Sequence, residues 1–526
     1  MLRNIISQYK DELKSFHNSL TYDFPFKILI TSVSIFIILL FIFSLITPDA
    51  FEFGDPAIYT QLINNSEFSH AAVHLGYYVL GVFFTKLLPF SDCMSLNIMN
   101  CFFGAAIGSI FFLLVYMIIK NYLYSLISVL FLTTNYYFIY NTLYAEVYIS
   151  QTFFIVLALF LWLRSRPIFT GVSLVISYLI SPSTLFALPA FFFLRPFFKD
   201  LVKITITFGM FAILLIYPLY SDYLYGDRGL LTTGFSINLV TAVIKELYQF
   251  FIGFLMLLPL LYFGLKEAIL SSEKRIFVVF LFILFLITLI FVERFLDVPV
   301  QLATFIFLYV FLGFGLERLK ENESQKTIKN YQFYIIWTCL GILISIVLFI
   351  VVKTNKFSSL YEEIPIELPI ISIIVNFLFL FIIFLFVKIK PVLLSNHINI
   401  GIIVFTLCIN FSVLFFSVKN QNLELNNFKN TTIELVQKIN SNAIIVGNWN
   451  ENVLFEYYFN QLNSNNDYKY INAKEFIEID QHYYLDRVKN DSYKIVVLND
   501  NLDTILKFYS DRFGYKRIGS FIYFEN

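Results

Sequence analysis

The hydrophobic positions of this chain fall into long, nearly uninterrupted runs. A helix that crosses a bilayer needs roughly 20 apolar residues, and thirteen runs approach that length before residue 420. The runs predict a helical bundle with spans at 27–47, 96–119, 122–140, 146–163, 168–181, 183–194, 201–219, 238–264, 276–292, 298–316, 331–352, 368–387 and 397–418. Two of them are short and are interrupted by Pro182 and Pro189.

Residues 71–89 form a further apolar run, which we expect to lie in the outer interface as an amphipathic helix. The run carries His74 and Lys86, and counting it as a span would reverse the side predicted for every later loop. Residues 48–95 are then one outer segment, the longest within the bundle. Loops of that length usually have a function.

Basic residues between the spans predict the orientation of the bundle. Lysine and arginine are enriched in short cytoplasmic loops, and here they alternate from loop to loop when Arg3, Lys10 and Lys14 at the N-terminus are cytoplasmic. An odd number of spans then places the C-terminal domain outside the cytoplasm. About 25 polar residues precede the first run, so this run is predicted to be a retained anchor rather than a cleavable signal peptide.

The pattern changes at about residue 420. Strand-like runs at 443–447, 493–500 and 518–524 alternate with amphipathic helices near 451–462, 473–489 and 502–513, which predicts a small α/β domain with a mostly parallel sheet. The domains are therefore expected to be a cytoplasmic segment (1–25), a membrane bundle (26–419) and an extracytoplasmic α/β domain (420–526). The turn after the first strand lacks a glycine-rich phosphate fingerprint, so no nucleotide cofactor is expected.

Composition agrees with a membrane protein. Hydrophobic residues make up 58% of the 526 positions and charged residues only 14%, and the mean hydropathy is +0.73; soluble domains contain about 25% charged residues. Lysine plus arginine and aspartate plus glutamate balance at 37 each, which gives no indication of a nucleic-acid partner. The four cysteines lack metal-ligand spacing and are interpreted as small core residues.

Asp55 is the first candidate for chemistry. It stands between Gly54 and Pro56, just beyond the first span, where the turn opens a helix. A carboxylate at the outer membrane face can act as the base for an acceptor hydroxyl or amine. The alternative is structural, because aspartate before proline is a common helix N-cap.

Four more residues lie at the same predicted face. Glu146 opens the fourth span, and an ionisable residue there is a functional candidate, although a first-turn glutamate also suits the helix dipole. Asn97 and Asn100 begin the second span and could bind that carboxylate, a sugar or another helix. His74 fits either a ligand contact or a solvated interfacial histidine.

Arg228 and Arg294 are the outer cations best suited to a lipid phosphate. Each has acidic neighbours in sequence, so a solvated or locally paired arginine is the alternative. The sequence contains no Ser–His–Asp pattern, no HExxH motif and no Walker A motif. Its spans also lack the mid-membrane charges expected of an ion-coupled transporter.

The sequence resembles the C-type glycosyltransferase superfamily, and more narrowly the bacterial protein O-mannosyltransferase-like family. Four segments between about 26 and 195 carry the resemblance: FGDPAIY with Asp55, the H-x-GY segment with His74 and Tyr77, the asparagine-led second span, and AEVY with Glu146. Beyond these segments only the architecture agrees.

The resemblance implies an all-α polytopic bundle with a small extracytoplasmic α/β domain. It implies that Asp55 is the catalytic acid of the first outer loop and that Glu146 is a second catalytic residue. His74, Tyr77, Asn97, Asn100, Arg228 and Arg294 would bind substrate. The donor would be a polyprenyl-phosphate sugar attacked with inversion, and some members of the superfamily use a divalent cation.

We therefore expect a membrane glycosyltransferase that acts on an extracytoplasmic lipid, glycan or protein. One alternative is a flippase or transporter that moves lipid-linked sugars without forming a bond. Another is a structural membrane subunit that docks through its α/β domain, with Asp55 serving only as a helix cap.

Overall fold

The structure is a computed structural model. It describes residues 11–12, 20, 23–50, 55–65, 74–181, 184, 187–194, 199–210, 258–271, 274–284, 299–321, 425–435, 443–447, 468–472, 494–497, 514–518 and 521–525, together with isolated positions between 339 and 458. The predicted spans at 331–352, 368–387 and 397–418 lie almost entirely outside these residues.

Two long helices form the centre of the described bundle. Helix α1 (Phe26–Ile46) begins after Pro25 and ends at Thr47. Helix α4 (Asp92–Ile119) begins at Ser91, whose side chain accepts from the Met94 amide, and ends at Lys120. The first predicted span and the second are therefore confirmed as helices, and α4 starts four residues earlier than predicted.

The helices α1 and α4 pack together in an antiparallel pair, with a hydrogen bond of 2.8 Å between the hydroxyls of Ser32 and Ser109. One face of α1 exposes large apolar side chains, among them Val33, Ile37 and Phe41. An exposed apolar face on an apolar helix suits contact with lipid.

Two short helices lie between α1 and α4 in sequence. Helix α2 (Asp55–Asn65) and helix α3 (Leu75–Leu87) occupy the outer segment predicted at 48–95. Helix α3 confirms the helix predicted within 71–89; its position in the membrane interface stays a prediction.

The span predicted at 122–140 is broken into two helices, which corrects the prediction of one continuous helix. Helix α5 (Tyr122–Thr133) and helix α6 (Tyr136–Leu143) meet at a bend of 66°. Polar side chains produce the break: the Thr134 hydroxyl donates to the Leu130 carbonyl, and the Asn135 side chain accepts from the Phe138 amide. Such side chains compete with the helical hydrogen bonds of the backbone.

The next helices are shorter than a straight span requires. Helix α7 (Val147–Leu163) and helix α8 (Pro167–Ile180) are joined by a tight turn in which Ser165 adopts a φ of 60°. Helix α9 (Leu188–Leu194) follows, and residues 199–210 form α10. By length and composition, two described helices, α1 and α4, can cross a membrane, and the bent α5–α6 pair would make three.

Three later helices pack as a group: α11 (Leu258–Leu270), α12 (274–284) and α13 (Pro299–Glu321). Helix α11 continues past the predicted end at residue 264. Its contact with α13 is close because Gly264 faces the Phe311 backbone and Gly315 faces the Leu260 backbone. A Cβ atom at Gly264 would collide with the Phe311 carbonyl oxygen.

An ion-pair cluster closes one end of this group. Lys274 Nζ lies 2.7 Å from Glu317 Oε2 and 3.6 Å from Glu267 Oε1. Arg318 lies 2.7 Å from Glu267 Oε2. By the predicted orientation this is the cytoplasmic end of the bundle.

The C-terminal part contains five described strands: β1 (Ala443–Gly447), β2 (Tyr468–Asn472), β3 (Lys494–Val497), β4 (Gly514–Ile518) and β5 (Phe521–Glu525). They form one sheet in the order β2-β1-β3-β5-β4. Strands β2, β1 and β3 are parallel, whereas β5 is antiparallel to both β3 and β4. The sheet is therefore mixed rather than mostly parallel.

The difference arises at the end of the chain. The run predicted as one strand at 518–524 instead falls on the end of β4 and on β5, which pair antiparallel with Ile518 opposite Phe521. A two-residue connection reverses the chain and forces antiparallel pairing. The helices predicted at 473–489 and 502–513 lie outside the described residues.

Gly264→Ala is expected to destabilise the α11–α13 contact. The added methyl group would meet backbone atoms that cannot rotate away, and overpacking of this kind costs about 2 kcal/mol. The measurement is thermal unfolding of the purified protein in detergent. Gly209→Ala is the matched control, since a Cβ there meets no atom of the described chain within 4 Å; equal melting temperatures for both variants would contradict the close packing.

Candidate functional site

The predicted site residues that the structure describes gather at one end of the bundle. We call it the candidate-site end; it comprises residues 46–50, the start of α4, the junction at 144–146 and the end of α8. Two asparagines of α4 organise it, because each holds a segment that is not helical.

Asn97 holds the segment that follows α1. Its Nδ2 donates to the Pro48 carbonyl at 2.9 Å and to the Ala50 carbonyl at 3.3 Å. Its side chain is fully buried, and its Oδ1 has no hydrogen-bond partner among the described residues. Asn97 therefore fixes the chain just before Asp55 while retaining a free acceptor.

Asn100, one turn further along α4, holds the junction between α6 and α7. Its Nδ2 donates to the carbonyls of Tyr144 and Glu146, the second at 2.7 Å. Asn100 thus bonds the backbone of Glu146, whereas the sequence suggested a bond to the carboxylate. Its Oδ1 is buried and, within the described chain, has no hydrogen-bond partner.

Glu146 is the residue immediately before α7. The structural alternative placed it in the first turn of the helix, whereas it occupies the N-cap position and its side chain forms no capping hydrogen bond. Its amide donates to the Tyr144 carbonyl at 2.8 Å, and one carboxylate oxygen is buried. Both the amide and the carbonyl of Glu146 are therefore hydrogen-bonded. The carboxylate does not serve as a helix cap.

His74 and Gly76 attach α3 to the end of α8. The His74 Nδ1 lies 2.7 Å from the Ile180 carbonyl oxygen, and its ring packs edge-on against Tyr59 with centroids 5.6 Å apart. A Cβ at Gly76 would lie 2.9 Å from the Ile180 nitrogen. The H-x-GY segment therefore has a packing role, and His74 is half-buried and hydrogen-bonded rather than solvated.

Tyr77 lies next to this contact and is fully buried. Its ring packs against Tyr59 with centroids 5.1 Å apart, and its hydroxyl has no hydrogen-bond partner in the described part of the chain. Burial raises the pKa of the Tyr77 hydroxyl well above its ordinary value, and the charges of Glu146 and Cys93 raise that pKa further. Tyr77 is thus a neutral hydrogen-bonding group close to Glu146.

Asp55 is the first residue of α2, directly followed by Pro56. This agrees with the prediction that a turn at Gly54–Asp55 opens a helix. The structure describes Asp55 by its backbone, so neither the capping role nor the catalytic role is tested here. Arg228 and Arg294 lie outside the described residues.

Sequence reasoning missed a buried polar cluster where α7 approaches α8. Gln151 Nε2 lies 2.8 Å from the Thr184 hydroxyl and 3.3 Å from the Ser181 carbonyl. The Ser177 hydroxyl lies 2.8 Å from that of Thr184 and donates to the Gln151 carbonyl. Glutamine within an otherwise apolar span was the available signal, because buried polar side chains of membrane helices bond to one another.

A second set of contacts was also missed and connects the C-terminal part to this end of the bundle. Asn422 accepts from the Tyr144 hydroxyl at 3.0 Å and donates to the Ile46 carbonyl at 3.0 Å. Lys429 donates to the Asp49 carbonyl at 2.6 Å and lies 3.2 Å from the Asp49 carboxylate. No local pattern could predict contacts between residues 278 to 380 positions apart.

The described residues contain no group of three or more histidine, cysteine, aspartate or glutamate side chains that could hold a metal ion. Cys93 and Cys101 are buried, as predicted for core residues, whereas Cys339 is exposed.

Asn100→Asp is expected to destabilise the protein. It replaces a donor to two carbonyls with an acceptor, and each buried group left without a partner costs about 1–3 kcal/mol. Thermal unfolding in detergent measures the effect. Ser95→Ala on the same helix is the control, because the Ser95 hydroxyl is buried and has no hydrogen-bond partner in the described chain. Equal melting temperatures for the two variants would be the contrary result.

No protein-family model and no curated protein sequence matches this chain. Solved structures do. The crystal structure of ArnT from Cupriavidus metallidurans bound to undecaprenyl phosphate aligns over 94% of this chain and 97% of its own, with a TM-score of 0.61 and 10% sequence identity. The same protein in its apo state aligns with a TM-score of 0.57 over the same shares of both chains, also at 10% identity. The chain therefore has the fold of ArnT over nearly its whole length.

Proposed function

We propose that this protein is a membrane glycosyltransferase that moves a sugar from a polyprenyl-phosphate carrier to an acceptor outside the cytoplasm. The observation that carries the proposal is the likeness of the whole chain to a structure that binds undecaprenyl phosphate. Fold alone does not determine chemistry, so the proposal also depends on the residues at the candidate-site end.

The proposed reaction is a single displacement at the anomeric carbon. Asp55 accepts the proton of the acceptor hydroxyl or amine, whose lone pair forms the new glycosidic bond with inversion. The bond between the sugar and the phosphate oxygen breaks, and the polyprenyl phosphate leaves with the electron pair. Arg228 or Arg294 is proposed to stabilise the charge on that phosphate.

Buried polar groups support a sugar site at this end. The Oδ1 atoms of Asn97 and Asn100 and the hydroxyl of Tyr77 are buried, and none has a hydrogen-bond partner among the described residues. A buried polar atom without a partner is costly, and sugar hydroxyls would supply the missing donors and acceptors. We assign these three side chains, with His74, to substrate binding.

Glu146 is proposed as the second acidic residue of the site. Its backbone is held by Asn100 and its side chain does not cap α7. A carboxylate held in this way can accept hydrogen bonds from sugar hydroxyls that strengthen as positive charge develops at the anomeric carbon. Its role is therefore electrostatic, while proton removal belongs to Asp55.

Asp55→Asn is expected to abolish sugar transfer, because an amide cannot accept the proton of the acceptor; loss of a general base costs at least about a hundredfold in rate. The assay measures transfer from a panel of radiolabelled polyprenyl-phosphate sugars in membranes containing the full-length protein. Asp92→Asn is the control, since Asp92 lies in the first turn of α4 and is also acidic.

Full activity of folded Asp55→Asn would exclude the assigned base. Absence of transfer from every donor in folded wild-type protein would exclude the enzyme. The flippase alternative would then be tested by following the same lipid-linked sugars across the membrane of proteoliposomes.

Glu146→Gln is expected to lower kcat about tenfold, comparable to the loss of one hydrogen bond to a charged group, while the protein stays folded because the backbone bond from Asn100 is kept. The measurement is the same transfer assay with kcat and KM determined separately. An unchanged kcat would remove Glu146 from the proposed site.

A further inference from the structure

Residues 422–435 contact both segments that carry the proposed acidic residues. Residues 425–435 form helix α14. Asn422 bridges the end of α1 and the junction before Glu146, and Lys429 binds Asp49, six residues before Asp55. We propose that Asn422 and Lys429 act as a latch that positions the two acidic residues of the site. This inference rests on the proposed function.

The Asn422 contact joins two separate parts of the bundle. Its Oδ1 accepts from the Tyr144 hydroxyl and its Nδ2 donates to the Ile46 carbonyl. Both polar functions of one short side chain are thereby used, so its position is fixed relative to both segments. Tyr144 is fully buried and two residues from Glu146, so the contact reaches the site through a side chain that cannot easily rotate.

The Lys429 contact holds the segment after α1 at Asp49, between the two residues whose carbonyls Asn97 bonds. Lys429 donates to the Asp49 carbonyl at 2.6 Å, while the Asp49 carboxylate also accepts from the Ser91 hydroxyl at 2.6 Å. The Asp49 side chain is 56% exposed and that of Lys429 is 26% exposed. An exposed ion pair alone contributes little to stability. The hydrogen bond from Lys429 to the Asp49 carbonyl is therefore the contact that orders the backbone.

Together, these side chains hydrogen-bond four backbone carbonyls of residues 46–50. Residue 46 is held by Asn422, residues 48 and 50 by Asn97, and residue 49 by Lys429. Two of these four bonds come from the C-terminal part of the chain. Catalytic groups need positioning to well under 1 Å, and these contacts make the C-terminal part a source of that positioning.

The test removes each contact and measures both the structure of the segment and the reaction. Lys429→Met deletes both bonds of the amine to Asp49, and Lys429→Arg keeps a cation and donors at the same place. Asn430→Met is the matched control, since Asn430 is the next residue of α14 and is exposed. Asn422→Leu removes the second contact while preserving side-chain size.

The structural readout is independent of catalysis. Ala50 is fully buried, so the thiol introduced by Ala50→Cys reports opening of the segment through its rate of maleimide labelling. We expect Lys429→Met and Asn422→Leu each to raise that rate about tenfold, and Lys429→Arg and Asn430→Met to leave it unchanged. The protein without the introduced thiol supplies the background rate from the native cysteines. Equal labelling in all variants would overturn the latch.

The catalytic readout uses the same variants without the introduced thiol. We expect Lys429→Met and Asn422→Leu to lower kcat about tenfold with little change in KM, because the acidic residues are misplaced while the donor still binds. Faster labelling with unchanged kcat and KM would overturn the positioning role. If wild-type protein transfers no sugar, the proposed function and the positioning role fail together, whereas labelling still decides whether the latch exists.

Discussion

Backbone carbonyls freed at helix breaks need donors, and the candidate-site end is organised by that requirement. Water is scarce inside an apolar bundle, so every freed carbonyl must find a partner within the protein. Two breaks occur here, one after Ile46 and one between α6 and α7. Asn97 serves the first and Asn100 the second, from adjacent turns of one helix. Asn97 thus holds residues 48 and 50, a few positions before Asp55, and Asn100 holds the backbone of Glu146.

The same two side chains link structure to chemistry. A side-chain amide has a nitrogen that donates hydrogen bonds and an oxygen that accepts them. In Asn97 and Asn100 the nitrogen donates to the backbone, while the oxygen has no partner among the described residues. The ion-pair cluster of Lys274, Glu267 and Arg318 is different, because its opposite charges are matched at distances down to 2.7 Å. Matched charges satisfy one another, whereas a buried acceptor without a partner in the described chain needs a donor from water, an ion or a ligand.

Sequence patterns predicted the structure best where one apolar run corresponds to one helix. The apolar runs of α1 and α4 predicted those helices well, and the run at 71–89 predicted α3. The bend after Thr133 was missed because three polar residues were too weak a signal against the surrounding apolar run. Strand β2 was missed because Tyr468–Asn472 contains lysine and asparagine, and its place in the sheet comes from pairing with β1.

The candidate site could be predicted in its residue types but not in its bonds. Local sequence suggested that Asn97 and Asn100 bond to another helix or to a sugar. In the structure, the amide nitrogen of each side chain donates hydrogen bonds to backbone carbonyls. His74 had two interpretations, and its bond to Ile180 is a tertiary contact that no local pattern contains. Asn422 and Lys429 belong to a polar segment with no motif, so their importance becomes visible only when the chain is folded.

The fold is shared with a structure of 10% sequence identity, and the apolar helices and the polar helix breaks are constrained differently in such a fold. Apolar helices tolerate wide substitution as long as volume and pattern are kept, so their sequences drift. A carbonyl at a helix break, in contrast, needs a donor at one place, and only a few side chains can supply it. The partners of the two breaks at residues 46–50 and 144–146 come from Asn97 and Asn100 of α4 and from Asn422 and Lys429 of the C-terminal part, so a few polar side chains connect both breaks to the rest of the described chain.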